Sequence, residues 1–283
     1  MQAGTPSRTA LAAAWHRAAH QVLEDGRIFS DPLALRILGE NAQSVVRWAE
    51  ERSSGRRMRL FIAVRTRFAE DALAAAIERG VQQLVVLGAG LDTYAYRGTF
   101  RERLQIFEVD HPATQAWKRE RLAGATIAVP DNLIFAPVDF ERQRLAEGLA
   151  AAGFDFARRT FFTWLGVVPY LTAEATWSTL GFIASLPGGA DVVFDYSDPP
   201  ESLSPEMRTD HERRAARVAA VGEAWVNYFE ADELRTKLTA LRFSDVEDLG
   251  PAQIVARYFA ESWQAKAPAP RGGHIVRAST VAQ

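Results

Sequence analysis

The chain has 283 residues and a formal net charge of -2, and 48% of its residues are hydrophobic. The nearly balanced charge gives no broad attraction to nucleic acid or to an anionic membrane surface. The sequence contains no cysteine, which excludes disulfides, thiolate zinc sites and cysteine nucleophiles and suits a reducing compartment.

The first residues do not follow the signal-peptide pattern of a basic region and then an apolar one. The apolar run Leu11–Ala14 is interrupted at once by Trp15-His16-Arg17. No stretch approaches the ~18 apolar residues of a membrane-spanning helix. From the sequence we therefore expect a soluble, cytoplasmic protein without a membrane or nucleic-acid partner.

The first eighty residues carry apolar side chains at helical spacing. This pattern predicts helices over Ala10–Leu23, Leu33–Leu38 and Phe61–Arg79. Ser30-Asp31-Pro32 is typical of an N-cap followed by proline in the first turn, and Gly80 is typical of a C-cap. We expect residues 1–80 to form a helical cap and residues 81–283 a core, in one compact structure.

From residue 84 onward, apolar runs typical of strands alternate with helical patterns. This alternation predicts a Rossmann-like α/β fold, with a seven-stranded, mostly parallel sheet covered by helices on both faces. Residues 197–237, between the fifth and sixth strands, form either a lid over the carboxyl edge of the sheet or a surface helical pair. The predicted strands are Leu84–Gly88, Leu104–Asp110, Leu133–Val138, Thr160–Val167, Asp191–Tyr196, Ser244–Leu249 and His274–Ser279. The predicted helices between them are His111–Leu122, Glu141–Ala151, Ala173–Ser185 and Pro205–Trp225.

The first predicted strand runs straight into a glycine turn, Gly88-Ala89-Gly90. Such a turn is expected to leave backbone N–H groups exposed at the carboxyl end of the strand, where open α/β sheets bind ligands. The second strand ends in an acid, Asp110, 22 residues after Gly88. An acid at that distance from a glycine turn is typical of a site that binds a ribose.

Two nucleotides fit this turn. The dinucleotide fingerprint requires a third glycine, and Thr93 stands at that position. Two glycines and a terminal acid fit S-adenosylmethionine equally well. The third strand ends in Asp139-Phe140, an acid and an aromatic that would bind the amino group and the face of an adenine. Asp139 is also a favoured residue for a helix N-cap, and the two roles can coexist.

With these segments the chain resembles the leucine carboxyl methyltransferase-like family of class I S-adenosylmethionine-dependent methyltransferases. It is most similar to the bacterial branch, whose members are often tied to natural-product O-methylation. The resemblance covers roughly the first 185 residues, and a bare GxG is much less specific than LGAGLDT followed by EVD-P. The matching segments are Asp31-Pro32, Phe61–Leu73, Val85–Arg97, Phe107–Lys118, Pro137–Phe140 and Thr163–Thr172.

The resemblance implies that an arginine pairs with the carboxylate of the cofactor, because a guanidinium fork fits a carboxylate. Arg65 is the matching residue, and Arg67 on the same helix is its rival. The eukaryotic branch has a glutamate where this chain has Leu165, and that glutamate helps to bind the charged end of the cofactor. Leu165 cannot do so, and the amino group must bind backbone carbonyls near Gly88 or a water.

The resemblance assigns the rest of the cofactor to the ends of the first three strands. The glycine turn lies under the methionine portion, Asp110 holds the ribose, and Asp139 with Phe140 binds the adenine. His111 either caps a helix or lines the same site. The expected cofactor-binding residues are Arg65, Gly88, Ala89, Gly90, Asp110, His111, Asp139, Phe140 and Leu165.

The acceptor side is less clear from the sequence. A carboxylate acceptor needs no general base, whereas a phenol, with a pKa near 10, gains from one. No base stands out, because His211 is expected to be solvated and His274 to be structural. We expect no metal site, since His16 and His20 have helical spacing but no local acidic partner. The weak catalytic candidates are His16, His20, Tyr170 and Tyr196.

Aromatic side chains near the ends of the fourth and fifth strands and in the insertion are the candidate acceptor wall. They would enclose a flat, apolar molecule or, alternatively, pack in the core. A carboxylate acceptor would also need a cationic anchor, for which Arg27, Arg208 and Arg257 are candidates. The aromatic candidates are Trp164, Tyr170, Tyr196, Trp225 and Tyr228.

The sequence thus predicts an O-methyltransferase that uses S-adenosylmethionine and acts on a carboxylate or hydroxyl of a small aromatic or polyketide-like metabolite. Three alternatives stay open. The chain could methylate the carboxyl terminus of a protein, which Leu165 and the divergent insertion argue against. It could be an NAD(P)-dependent oxidoreductase, against which Thr93 and Asp139 argue. It could also bind a cofactor without catalysis.

Overall fold

The structure is a computed structural model that describes residues 7–51, 55–139, 143–220, 222–259 and 271–282. The chain packs as two compact units, Met1–Asp155 and Phe156–Gln283. The N-terminal helices that we predicted as a cap therefore pack in the same unit as the first three strands. Within the described ranges, no helix is both long enough and apolar enough to cross a membrane.

The first unit begins with four helices. They are α1 (Arg8–Leu23), α2 (Ala34–Leu38), α3 (Ala42–Glu50) and α4 (Gly55–Glu78). Helix α3 was not predicted, although its N-cap Asn41, which accepts the N–H of Ser44, is a signal that the sequence carries. The predicted N-cap of α2 is wrong, because Asp31 accepts the N–H of Leu33 in a turn and the helix begins only at Ala34.

Three strands follow in the first unit and alternate with helices, as predicted. In chain order the elements are β1 (Gln83–Leu87), α5 (Tyr94–Arg97), β2 (Gln105–Asp110), α6 (Pro112–Gly124), β3 (Leu133–Pro137) and α7 (Leu145–Ala151). β2 pairs in parallel with both β1 and β3. Every residue of β1 is buried, as expected for a parallel strand that is covered on both faces.

The second unit holds the remaining elements. In chain order they are β4 (Thr160–Trp164), α8 (Ala173–Ala184), β5 (Ala190–Ser197), α9 (Pro205–Ala219), α10 (Ala231–Ala240), β6 (Asp245–Leu249), α11 (Pro251–Tyr258) and β7 (Gly273–Ser279). β4 is shorter than predicted because Gly166 adopts a φ of +71° and donates its N–H to Asp195. Helix α9 ends before Trp225 because Gly222 adopts a φ of +80°. Helices α10 and α11 were not predicted.

Among the described residues, seven strands form one sheet in the order β3-β2-β1-β4-β5-β7-β6. β4 and β5 are parallel, whereas β7 is antiparallel to both β5 and β6. The predicted α/β fold with a seven-stranded, mostly parallel sheet is therefore confirmed. In each unit the parallel strands end at a common edge, which is where ligands bind in such sheets.

One apolar cluster of the first unit joins the N-terminal helices to the chain that follows β1. Leu91, just after the glycine turn, and Leu122 of α6 contact side chains of α1, α2 and α3. Burial of this apolar surface holds the helices against the turn. The buried members are Ala14, Ala18, Ala19, Ala34, Ile37, Leu38, Val45, Leu91, Leu122 and Ile127.

Candidate functional site

The turn after β1 is built on two glycines with left-handed backbone. The φ angle is +65° at Gly88 and +44° at Gly90, where glycine avoids the strain of a side chain. The N–H groups of Gly88 and Ala89 both donate to the carbonyl oxygen of Val109, at 2.8 and 3.1 Å. The expectation that these N–H groups are exposed is wrong, because they fasten the turn to the end of β2.

Asp110 closes the turn from the end of β2. Its Oδ2 accepts the N–H of Gly90 at 2.6 Å, and its Oδ1 accepts the N–H of His111 at 2.7 Å. Burial raises the pKa of Asp110, although these two N–H groups and the ammonium of Lys118 oppose the rise. A carboxylate has about four acceptor positions, so each oxygen retains room for one further donor, such as a ribose hydroxyl.

The residues after β2 and β3 lie at the same edge of the sheet. His111 is the N-cap of α6, since its Nδ1 accepts the N–H of Ala113 at 3.2 Å. The N–H of Val138 donates to the carbonyl oxygen of Asp110 at 2.9 Å, which brings the half-buried Asp139 to the strand end beside Asp110. Phe140, the predicted partner of Asp139, lies outside the described residues.

Helix α1 covers the glycine turn directly. A Cβ on Gly90 would lie only 2.9 Å from the Cβ of Ala10, closer than two carbon atoms can pack. Two turns further along α1, the guanidinium of Arg17 donates to the carbonyl oxygen of Leu91. The predicted cap thus contacts the turn on which the cofactor prediction rests.

Asp31 is the polar centre that ties the N-terminal helices to the chain after the turn. It is 1% exposed, and its Oδ2 accepts the hydroxyl of Thr93 at 2.7 Å. The guanidinium groups of Arg17 and Arg97 lie 3.6 and 3.4 Å from its carboxylate oxygens. Thr93, which replaces the third glycine of the dinucleotide fingerprint, therefore provides a hydroxyl that binds the cap.

The two rival arginines of α4 have different surroundings. Arg67 is exposed, and its Nε donates to both carboxylate oxygens of Asp71 at 2.8 Å. Arg65 is half-buried. Residues two apart on a helix point about 200° apart, so only one of the pair can face a given site. Burial favours Arg65 as the carboxylate partner.

The second unit contains a buried polar network at the carboxyl end of β5. The hydroxyl of Tyr196 donates to Asp248 at 2.7 Å and lies 3.1 Å from Nδ1 of His274. Nδ1 of His274 is 2.9 Å from Asp248, and Nε2 is 3.2 Å from Asp198. Tyr196 is 1% exposed, so its hydroxyl serves this network. It is thus poorly placed for the catalytic or acceptor role that we predicted.

This network makes the second unit sensitive to alkaline pH. Burial alone lowers the pKa of His274, but hydrogen bonds to Asp198 and Asp248 outweigh it and raise the pKa from 6.5 to about 9. A raised histidine pKa stabilises the fold fully below pH 6.5, and the effect is lost as the pH rises through 9. We expect the free energy of unfolding to fall by about 2 kcal/mol between about pH 7 and pH 9.5.

Urea denaturation across this pH range measures the effect. His274→Gln, which keeps a polar side chain without the charge, is expected to flatten the curve. A wild-type stability that stays constant from pH 7 to 9.5 would contradict a charged His274. Arg271, which also contacts Asp198 at 3.1 Å, stays protonated throughout this range.

His211 was expected to be solvated, and this prediction is wrong. The side chain, on α9, is 6% exposed, and its Nε2 lies 3.0 Å from the hydroxyl of Tyr228. Its ring contacts the ring of Trp225, with centroids 5.3 Å apart. Burial, with Arg214 nearby, lowers the pKa of His211, so the imidazole is neutral at pH 7.

The segment around Trp225 and Tyr228 is fixed to α8 and to the end of β5 in the second unit. The side chain of Asn227 donates to the hydroxyl of Thr176 at 2.9 Å, and the N–H of Phe229 donates to the carbonyl oxygen of Ser197 at 3.2 Å. Trp225 and Tyr228 themselves remain half-buried. The insertion therefore presents an aromatic surface next to the end of β5.

The other acceptor candidates differ in exposure. Trp164 is buried and contacts the ring of Phe194, as core packing would require. Tyr170 and Leu165 are half-buried in the segment after β4. Of the aromatic candidates, the half-buried ones, Tyr170, Trp225 and Tyr228, can contact an acceptor.

The three candidate cationic anchors are all engaged elsewhere. Arg208 donates to the carbonyl oxygens of Pro200 and Glu201, which closes the loop before α9. Arg257 pairs with Glu247 at 2.7 Å. Arg27 is exposed in a turn of the first unit, 3.9 Å from Asp25.

The two histidines of α1 do not form a pair. His16 is half-buried, with its ring edge against Trp48, whereas His20 is fully buried with Nδ1 3.2 Å from Glu24. His20 is therefore inaccessible as a catalytic base. Across the described ranges, no group of three or more His, Cys, Asp or Glu side chains is arranged to hold a metal ion.

Comparison with known proteins places this arrangement among methyltransferases. A "Putative S-adenosyl-L-methionine-dependent methyltransferase YktD" of Bacillus subtilis is 36% identical over 69% of this chain and 64% of its own length. A protein of Parafrankia sp. with the same description is 34% identical over 71% of this chain and 66% of its own. The match thus spans just under two thirds of these relatives.

The fold has a counterpart among solved structures. A "putative methyltransferase" from Thermobifida fusca superposes with a TM-score of 0.56 and 15% identity, over 99% of this chain and 97% of that one. At this identity the similarity shows the shared fold alone. The model of the family described as "Leucine carboxyl methyltransferase" matches residues 10–184. The chain therefore belongs to the leucine carboxyl methyltransferase family.

Proposed function

We propose that this chain is an S-adenosylmethionine-dependent O-methyltransferase whose acceptor is a hydroxyl group of a small aromatic, polyketide-like metabolite. S-adenosylmethionine is the cofactor named for its relatives in the same family. In this proposal the ends of β1, β2 and β3 bind the cofactor.

The carboxylate of Asp110 is the observation that carries the cofactor assignment. It is fixed by two backbone N–H groups, at 2.6 and 2.7 Å, and each oxygen keeps acceptor capacity for one ribose hydroxyl. Gly88 and Gly90 provide the turn for the methionine portion, and Arg65 provides the cation for its carboxylate. Asp139, at the neighbouring strand end, is the partner for the adenine amino group.

The pairing of His211 with Tyr228 favours a hydroxyl over a carboxylate as the acceptor. A carboxylate is ionised at neutral pH and needs no base, whereas a phenol has to lose a proton. His211 is neutral at pH 7 and can accept that proton at Nε2. The half-buried rings of Trp225 and Tyr228 beside it suit a flat, aromatic acceptor.

When bound, S-adenosylmethionine supplies a methyl group on a positively charged sulfur. The acceptor oxygen releases its proton to the hydroxyl oxygen of Tyr228, which passes its own proton to Nε2 of His211, 3.0 Å away. Burial raises the pKa of Tyr228, so the phenol stays protonated between turnovers and works only as a relay. The imidazolium then returns its proton to water.

Two measurements test this function. S-adenosylhomocysteine should raise the melting temperature and NAD should not, because a ligand that binds only the folded state stabilises it. Labelled S-adenosylmethionine should transfer its methyl group to simple phenols such as naphthols. His211→Asn is expected to slow that transfer about 100-fold without changing affinity for S-adenosylhomocysteine, and exposed Arg213→Gln serves as the control on α9.

Each alternative function has its own signature in these assays. Stabilisation by NAD alone would overturn the methyltransferase assignment. Methylation of benzoic acids or of a leucine-terminated peptide, with no loss of rate in His211→Asn, would show a carboxylate acceptor. Binding of S-adenosylhomocysteine without transfer to any acceptor class would favour a protein that binds the cofactor without catalysis.

A further inference from the structure

A buried ion pair lies next to the carboxylate that closes the glycine turn. Nζ of Lys118 is 2.7 Å from Oε2 of Glu108, and the two side chains are 1% and 0% exposed. Glu108 precedes Asp110 by two residues on β2, so both carboxylates point to the same face of the strand. Helix α6, which begins beside Asp110, carries Lys118 two turns later and returns its ammonium to this face.

The ammonium of Lys118 lies among several acidic side chains. Burial raises the pKa of Glu108 to about 7 despite Lys118, and Asp92 adds to the rise. The hydroxyl of Tyr96 lies 3.4 Å from Oε2 of Glu108, and its ring centroid lies 5.4 Å from Nζ of Lys118. A glutamate with such a pKa is largely protonated below pH 7, and then it does not neutralise the lysine.

The pair is poorly arranged for stability alone. Two apolar side chains of similar volume stabilise a core as well as a buried ion pair does. Oε1 of Glu108 is buried, and within the described residues it has no hydrogen-bond partner. Stability alone therefore does not explain why a charged pair occupies this buried position. Asp110, two residues after Glu108 on the same face of β2, provides a reason, because Lys118 lowers its pKa against the effect of burial.

We propose that Lys118 is a positioning residue for cofactor binding, whose buried ammonium holds Asp110 in the ionised form that accepts the ribose hydroxyls. Glu108 is a weak counter-ion that leaves the positive charge available to Asp110. The inference rests on the proposed function, because it takes Asp110 as the ribose ligand. Lys118 itself touches neither ribose nor any reacting atom.

Calorimetric titration of S-adenosylhomocysteine into the full chain between pH 4.5 and 8 tests this proposal. Wild-type affinity is expected to fall as the pH drops and Asp110 takes up a proton. We call this decrease in affinity at low pH the acid limb. Lys118→Met is expected to move this acid limb upward by about one pH unit, while affinity at pH 8 is nearly kept. Glu108→Gln retains the cation and leaves the limb at or below its wild-type pH.

Two further variants keep the test decisive. Lys118→Met leaves a buried acid without its partner and can fail to fold, so the double variant Lys118→Met/Glu108→Gln removes the whole pair. It is expected to show the same upward shift as Lys118→Met. The charge of His111 also lowers the pKa of Asp110, so the series is repeated in His111→Asn, which keeps a helix cap.

A purely structural role for Lys118 predicts a different result. It predicts equal loss of affinity at every pH in Lys118→Met and in the double variant, with no displaced limb, and that result would overturn the proposal. Asp110→Asn separates this failure from that of the proposed function. If Asp110→Asn retains full affinity, the ribose assignment itself is wrong. If Asp110→Asn loses affinity while the lysine variants keep the wild-type limb, only the role of Lys118 is wrong.

Discussion

Asp110→Asn is expected to weaken the binding of S-adenosylhomocysteine about 100-fold at pH 8. In the proposed cofactor site, the substitution removes the charge that strengthens two hydrogen bonds to ribose hydroxyls, and charge-assisted bonds contribute about 1.5–3 kcal/mol each. Isothermal titration calorimetry measures the loss directly. The fold should survive, because the asparagine oxygen can still accept one of the N–H groups that now bind Asp110, from Gly90 or His111.

The control for this variant is an acid of the same unit outside the turn. Glu78 is exposed and pairs with Arg103 at the surface, so Glu78→Gln should bind S-adenosylhomocysteine as the wild type does. Urea denaturation of both variants shows whether lost affinity reflects lost structure. Unchanged affinity in a folded Asp110→Asn protein would remove the basis for placing the ribose at the end of β2.

Asp31→Asn is expected to lower the free energy of unfolding by about 3 kcal/mol. Loss of one partner of a buried ion pair leaves the other charge without compensation, and such losses are typically 3–5 kcal/mol. Here both Arg17 and Arg97 lose a carboxylate, although Arg97 keeps its pairing with Glu70. The asparagine oxygen can still accept a hydrogen bond from the hydroxyl of Thr93. The expected loss of stability therefore comes from removal of the charge.

Urea denaturation monitored by tryptophan fluorescence measures this loss. The matched control is Asp71→Asn, which breaks the exposed i, i+4 pair with Arg67 and should change stability by less than about 0.5 kcal/mol. Equal effects of the two substitutions would mean that Asp31 does not hold the N-terminal helices to the turn.

Sequence reasoning succeeded where the signal is local. The glycine turn, the acid at the end of β2 and the alternation of strands and helices are each readable within about 25 residues, and together they led to the correct fold and family. The same locality explains the boundary errors. Helix α3 is different, because its N-cap Asn41 and its amphipathic pattern are local signals that the prediction overlooked.

The buried polar contacts of His211 and Asp31 were not predicted, because the residues that make them are distant in the chain. His211 reads as solvated beside Glu212 and Arg213, yet Trp225 and Tyr228 bury it. Asp31 reads as part of a capping signal, although its main partner, Thr93, is 62 residues away. Spacing within one element cannot report such contacts, since they arise only when elements pack.

The contact between Ala10 and Gly90 limits how this chain can evolve. The two positions, eighty residues apart, share one small space, and Gly90 has no side chain to lose, so neither residue can be enlarged without a shift of α1 or of the turn. A lineage that keeps the glycine turn is therefore restricted to small residues at position 10. The start of the first helix inherits a constraint that comes from the glycine turn, although the helix lies outside the sheet.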